Sequence, residues 1–224
     1  MEYTPKISAS LSGLEKRRES LLKLGKAMME TYEGAMYPVD LLALGALKRT
    51  ISTIAGFKLL IESSNMVCAR TILRVQIDTA LRFYSVFIVD DPHSYSLEIL
   101  SGKQINHMQD SSGQKMRGAY LVNKLSEEYP WLPTVYKNLS GYIHFSGSHL
   151  FHPVEEIDNE TRTMQFAIQE EDTKFPEFSW LEVVDCFNES IDIFVKYLEG
   201  WIFTKANPEL VAQLKKENIG EQGH

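Results

Sequence analysis

The chain has 224 residues, 44% of them hydrophobic and 24% charged, and a net charge of −7 at neutral pH. These proportions describe a globular chain long enough to bury a sizeable core, and they exclude a disordered or low-complexity protein. The acidic balance also excludes a broad DNA- or RNA-binding surface, which needs clustered Lys and Arg to displace counterions, and leaves room only for a local basic cleft.

Residues 1–12 carry charges without an apolar core, so no secretory signal is expected. The longest apolar region, Leu41 to Ile61, is interrupted by Lys48, Arg49 and Lys58 and falls short of a membrane span. Cys68 and Cys186 stand alone within predicted helices, which fits neither a disulfide framework nor a metal or redox pair, and a cytoplasmic location is expected.

In chain order, Ser12-Gly13-Leu14-Glu15 matches a capping box and predicts a first helix reaching about Tyr32, with Gly34 as its stop. Pro38 opens a second helix, whose apolar rhythm runs from Leu41 through Leu47, Ile54 and Phe57 to Ile61; Gly45 and Gly56 on it suggest close helix contact. Ser63-Ser64-Asn65 reads as a break or cap before a central helix that ends near Asp90 and Asp91. On this helix Arg70, Arg74, Asp78 and Arg82 form one arc, since a step of four residues drifts only ~40° around the axis. Nearly everything off the arc is apolar, over roughly 240° of the helix, so the helix is expected to cross the middle of a bundle. Its charges then either surface along a narrow strip of i,i+4 pairs or line an internal polar site.

Asp91-Pro92 predicts an N-cap with proline at the first helical position, and Gly102 closes that short helix. Residues 105–117 are polar and read as a mobile loop; helical turns follow over 120–129, and Pro130 and Pro133 set up a further short helix through Val135, Tyr136 and Leu139. From Ser146 the rhythm changes. Residues 149–153 and 163–168 flank the turn-rich Asp158-Asn159-Glu160-Thr161, which predicts a β-hairpin over about 149–168. Ser179-Trp180-Leu181-Glu182 is a second capping box, opening a long helix on which Phe187, Phe194, Tyr197 and Trp201 recur at the spacing of a core face rather than a base-stacking platform. Asn207-Pro208-Glu209 caps a last polar helix before a flexible tail. The fold class that follows is mainly α: a single multi-helix bundle over 1–206, decorated by a small β-hairpin within 146–172, with a C-terminal helix and tail at 207–224.

The segment from Tyr136 to Ser146 gathers an amide, hydroxyls, a base and an imidazole near one helix end. If it is helical, Tyr136, Lys137, Ser140 and His144 fall within one or two turns of one another. Histidine exchanges protons near neutral pH without a large environmental shift, so His144 is the natural acid or base of the group. Its plainer reading is a partly buried ring packed between Tyr142 and Phe145.

Lys137-Asn138, then five residues, then His144 resembles a degenerate form of the arginine-polar-x(3–5)-histidine motif of the HEPN superfamily, helical proteins of toxin–antitoxin and phage-defence systems. The spacing of Tyr136, Leu139, Ser140 and His144 after an arginine-rich helix also resembles uncharacterised bacterial helical families near that group. The resemblance implies a homodimer with metal-independent ribonuclease activity and no cofactor, acting in stress or phage defence. His144 would transfer protons, assisted by Lys137 or Ser140. Lys137 stands at the motif's arginine position, where it offers phosphate a point charge without the planar fork. Arg70, Arg74, Arg82, Tyr136 and Asn138 would bind RNA or a nucleotide phosphate, with Asp78 orienting the arginines. The alternative is a non-catalytic interaction or ligand-sensing module in which the arc pairs internally and sets helix register.

His144, His149 and His152, followed by Glu155 and Glu156, lie close in sequence but match no zinc spacing, and no metal is expected. On a strand, His149 and His152 would point to opposite faces.

Overall fold

The computed structural model describes residues 5–144, 146–151, 153–172, 174–211 and 213, and begins with a long helix, α1 (Pro5–Glu30). Ser12 lies inside α1, not at its start, and its hydroxyl donates to the Ser8 carbonyl at 3.0 Å. The capping box expected there is overturned because Ile7, Leu11, Leu14, Leu21 and Met28 form one buried stripe that carries the helix back to Pro5. Tyr32 and Glu33, each at φ 54°, and Gly34 at φ 77° then turn the chain.

Helix α2 (Pro38–Glu62) begins with proline in its first turn, and the Tyr37 N–H donates to Asp40 Oδ2 at 2.8 Å. Gly45 and Gly56 do not mark a helix contact, since a Cβ at either would meet nothing within 4 Å. The close approach is at Gly25 of α1, where a Cβ would stand 2.5 Å from Leu47 Cδ2 of α2. Ser64, at φ 55°, reverses the chain, and the Asn65 side chain caps α3 (Met66–Tyr84) by accepting the Cys68 N–H at 3.0 Å. The α-helical part of this segment stops before Asp90; a 3-10 turn, Ser85–Ile88, completes it. As its apolar circumference predicts, α3 is central, packing chiefly against α2 and against the later helices at Leu132–Ile143 and Glu177–Ala206.

Asp91 caps α4 (Pro92–Leu100), accepting the N–H groups of His93 and Ser94 at 2.9 and 3.1 Å, and Gly102 closes it at φ 99°. The stretch expected to be a mobile loop is instead tied down. Gln109 and Lys115 form an antiparallel bridge, Met108 and Met116 are buried, and Asp110 binds the intervening turn together. Helices α5 (Gly118–Leu125), α6 (Leu132–Ile143) and α7 (Gly147–Phe151) follow.

The hairpin consists of β1 (Val154–Asp158) and β2 (Thr163–Phe166), paired Ile157 to Met164 and Asp158 to Thr163, with an irregularity between Val154 and Glu156. Its turn is where expected, with Asp158 accepting the N–H groups of Glu160 and Thr161. The first strand begins later than expected because residues 147–151 are helical; His149 sits on α7, and His152 lies outside the described residues. Helix α8 (Glu177–Ala206) starts two residues before Ser179, so that serine is not its cap. Its Phe187 stacks on Phe57 with centroids 3.9 Å apart, and Phe194 meets Phe83 edge to face at 5.3 Å, confirming a core role for these rings. Residues 208–211 form a further helical turn, and the tail expected beyond it lies outside the described residues. The architecture is a mainly α bundle with one small antiparallel hairpin. No helix among the described residues is long and apolar enough to cross a membrane.

Candidate functional site

The arginine arc is part-buried, with Asp78 pairing to Arg74 and Arg82 at the expected i,i+4 steps, and α3 turns most of it toward α6 and the turn that precedes α5. Arg70 places its guanidinium 4.7 Å from the Tyr142 ring centroid and 4.9 Å from that of Phe175, and its Nη1 donates to the Tyr142 hydroxyl. Arg74, with a side chain only 16% exposed, lies 3.7 Å over the Tyr136 ring. Asp78 stands between two of the cations, 4.0 Å from Arg74 and 3.3 Å from Arg82, while Arg82 Nη1 donates to the Met116 carbonyl at 2.9 Å. Delocalised, weakly hydrated guanidinium suits this half-dry setting, since aromatic faces and a single carboxylate replace much of its water.

The other predicted residues separate into two groups. Tyr136 joins the arc through Arg74, and Asn138 lines a cleft of about 90 Å³ with Arg70, Tyr142, Glu182 and Cys186. Lys137 and His144 are exposed, and the Ser140 hydroxyl is used locally, donating to the Tyr136 carbonyl at 2.9 Å. His144 is the C-cap of α6, with its backbone N–H 3.3 Å from the Ser140 carbonyl; its exposure overturns the partly buried reading. Among the described residues, no hydrogen bond or ion pair links the side chains of Lys137, Ser140 or His144 to the arginines.

Asp110 is the polar hub beside the arc. It accepts the Ser112 and Gln114 N–H groups at 3.0 and 2.9 Å, the Ser112 hydroxyl at 2.7 Å and the Tyr120 hydroxyl. Burial pushes its pKa upward, but these donors outweigh that effect and hold the carboxyl at about 2. The turn that presents the Met116 carbonyl to Arg82 is thus pinned by an ionised carboxylate.

Three features escaped sequence reasoning. The first is a fully buried ion pair, Lys205 Nζ to Asp40 Oδ2 at 3.0 Å, completed by the Trp201 indole N–H on Asp40 Oδ1 at 2.7 Å. Only Asp40 had a local signal, as the acidic third residue of α2. The second is a groove beside α2 that includes Arg49 as well as Arg82. The third is a cavity of about 400 Å³ under the hairpin, lined in part by Val67, His149, Glu155, Asp172 and Lys174. There Asp172 Oδ2 accepts the Val67 N–H at 3.1 Å and Lys174 pairs with Glu155 at 2.9 Å, so the lysine of the lining is already engaged. Among the described residues no group of three or more His, Cys, Asp or Glu is placed to hold a metal ion.

The hairpin itself is amphipathic. Ile157 and Met164 pair across the strands and Phe166 lies two residues along on the same face, whereas Glu156 and Gln165 pair on the other. All three apolar residues are exposed, Phe166 at 60%, and Ile168 just beyond β2 is 94% exposed. Compared with known proteins, the chain matches no family model, no curated protein and no solved structure.

Proposed function

We propose that this chain is a non-catalytic interaction module whose helical bundle carries the hairpin as a docking surface. The observation that carries this reading is the apolar face of Ile157, Met164 and Phe166, left open to solvent on a two-stranded ribbon that packs weakly by itself. Between positions 153 and 174 the chain has seven Asp or Glu against two Lys or Arg, so the partner that fits alternates basic and apolar side chains. A second acidic copy would meet like charge at this face, which disfavours a homodimer built through it.

The arc supports the non-catalytic side. Its guanidiniums are occupied by aromatic rings, Asp78 and a backbone carbonyl, and neither the cleft lined by Arg70 nor the groove lined by Arg82 includes His144. Phosphodiester cleavage requires cationic groups and a proton-transfer residue around one reacting phosphate.

Two measurements test the reading. Purified wild type and His144→Ala are incubated with RNA in metal-free buffer; neither is expected to cleave it, and cleavage that disappears in the variant would establish the ribonuclease reading instead. A fluorescent peptide of alternating Val and Lys is then titrated with wild type and with Met164→Ser/Phe166→Ser. Saturable, salt-weakened binding lost in the double variant is expected; equal binding by both proteins removes the hairpin from the proposal.

A further inference from the structure

Helices α2, α3 and α4 and the turn at Ile105 line a groove of about 380 Å³ that reaches the Arg82 end of the arc. That volume lies within the range of small-molecule sites, about 300–1,000 Å³. Leu42, Ala46, Phe83 and Ile105 supply apolar walls, and Leu41 and Leu100, which also line it, remain 49% and 47% exposed. These surfaces would lose water if an apolar body lay against them.

The charge of the lining is one-sided. Among the described residues, Arg49 and Arg82 are its charged residues and no carboxylate lies on the wall, in a chain whose net charge is −7. The two cations differ in availability: Arg82 is fixed by Asp78 and the Met116 carbonyl, while Arg49 is exposed and makes no hydrogen bond or ion pair among the described residues. Leu41, Gly45 and Arg49 succeed one another at four-residue steps along α2, so the guanidinium, a bare stretch of backbone and an apolar side chain follow one line. A Cβ at Gly45 would meet nothing within 4 Å, which leaves the middle of that line open.

We propose that this groove binds a small amphipathic anion, a free medium-chain carboxylate, with its alkyl body against Leu42, Ala46 and Phe83 and its carboxylate on Arg49. Guanidinium and carboxylate match as planar, bidentate partners, so one uncommitted arginine suffices for a carboxylate, whereas a phosphate group calls for more donors. An organic cation would face two guanidiniums, and a neutral chain would leave Arg49 without a role.

The test is calorimetric titration of the full chain with decanoate and with decyltrimethylammonium, each below its micellar concentration. Wild type is expected to bind one decanoate with a Kd below about 1 mM. Arg49→Gln should weaken binding about tenfold, the loss of one charge-assisted pair. Gly45→Leu, which puts an isobutyl group into the groove and improves helix propensity, should abolish binding while leaving the circular dichroism spectrum unchanged. Absence of decanoate binding by wild type, unchanged affinity in Arg49→Gln, or equal affinity for the alkylammonium ion would each overturn the proposal. If Gly45→Leu does not fold, the arginine variant and the ligand comparison decide the matter.

Discussion

The Arg74 guanidinium lies 3.7 Å over the centre of the Tyr136 ring, and this stack is the joint by which α6 is hung on α3. Arg74 Nε is buried without a hydrogen-bond partner among the described residues, so the planar face of the group carries much of the interaction. A desolvated cation–π contact of this kind contributes about 2 kcal/mol.

Gly118, the first residue of α5, guards the stack from behind, since a Cβ there would overlap the Tyr136 hydroxyl. Gly118→Ala is expected to displace the ring and lower stability by about 1–3 kcal/mol, the usual range for overpacking, although alanine is the better helix former. The loss should shrink in a Tyr136→Phe background, where the obstructing oxygen is gone. Urea denaturation of the two single variants and the double variant reads this directly.

The Lys205–Asp40 pair sets the largest expected loss. Both side chains are fully buried, and Lys205 Nζ also reaches the Met28 carbonyl at 2.9 Å. Lys205→Met strands a carboxylate in the core and should cost about 3–5 kcal/mol. Lys205→Met combined with Asp40→Asn should cost less than Lys205→Met alone, because the remaining amide is neutral. A double-mutant cycle by chemical denaturation supplies the coupling.

Asp110 gives a pH signature. Its folded pKa of about 2 is below the ordinary 3.8, so its contribution to stability is present above about pH 4 and fades as pH falls toward 2. Asp110→Asn should be less stable than wild type at pH 7 by about 1–3 kcal/mol, with the gap closing in acid. Urea midpoints measured from neutral to acid pH follow the convergence.

The two cysteines should differ in reactivity. Cys68 is exposed, whereas burial, and after it the carboxylates of Glu182, Asp185 and Glu189, push the Cys186 thiol up to about 12. Iodoacetamide at mildly alkaline pH is expected to label native protein once, at Cys68, and to reach Cys186 only in denaturant. Mass spectrometry of Cys68→Ser should then show an unlabelled native chain.

What was legible beforehand follows from the range of each interaction. Helix α3 announced its central place because its apolar residues cover far more than one stripe, and Asp91-Pro92 and the Asp158 turn are local hydrogen-bond devices readable from a few residues. The capping-box pattern misled at Ser12 and Ser179 because serine followed three residues later by glutamate also occurs inside helices; Ser12 there bonds back to the preceding turn. The arc and its i,i+4 pairs with Asp78 were visible, but its aromatic partners were not: Arg70 and Tyr142 are 72 residues apart, and no periodicity reports which rings a guanidinium will meet. His144 looked central because the sequence gathers polar groups around it, yet α6 ends there and leaves it at the surface. The groove at Arg49 carried no signal at all, since it belongs to helices that meet only on folding.

Asp40 and its counter-ion are separated by 165 positions in the chain. At roughly 5–20 residues per second, a ribosome that has released the acid supplies the ammonium group about ten to thirty seconds later. Through that interval α1 and α2 can pair only by leaving that carboxylate hydrated at their open end, so native closure of the bundle requires the last turn of α8. The buried pair thus makes completion of the first two helices' packing depend on the segment that neutralises their charge.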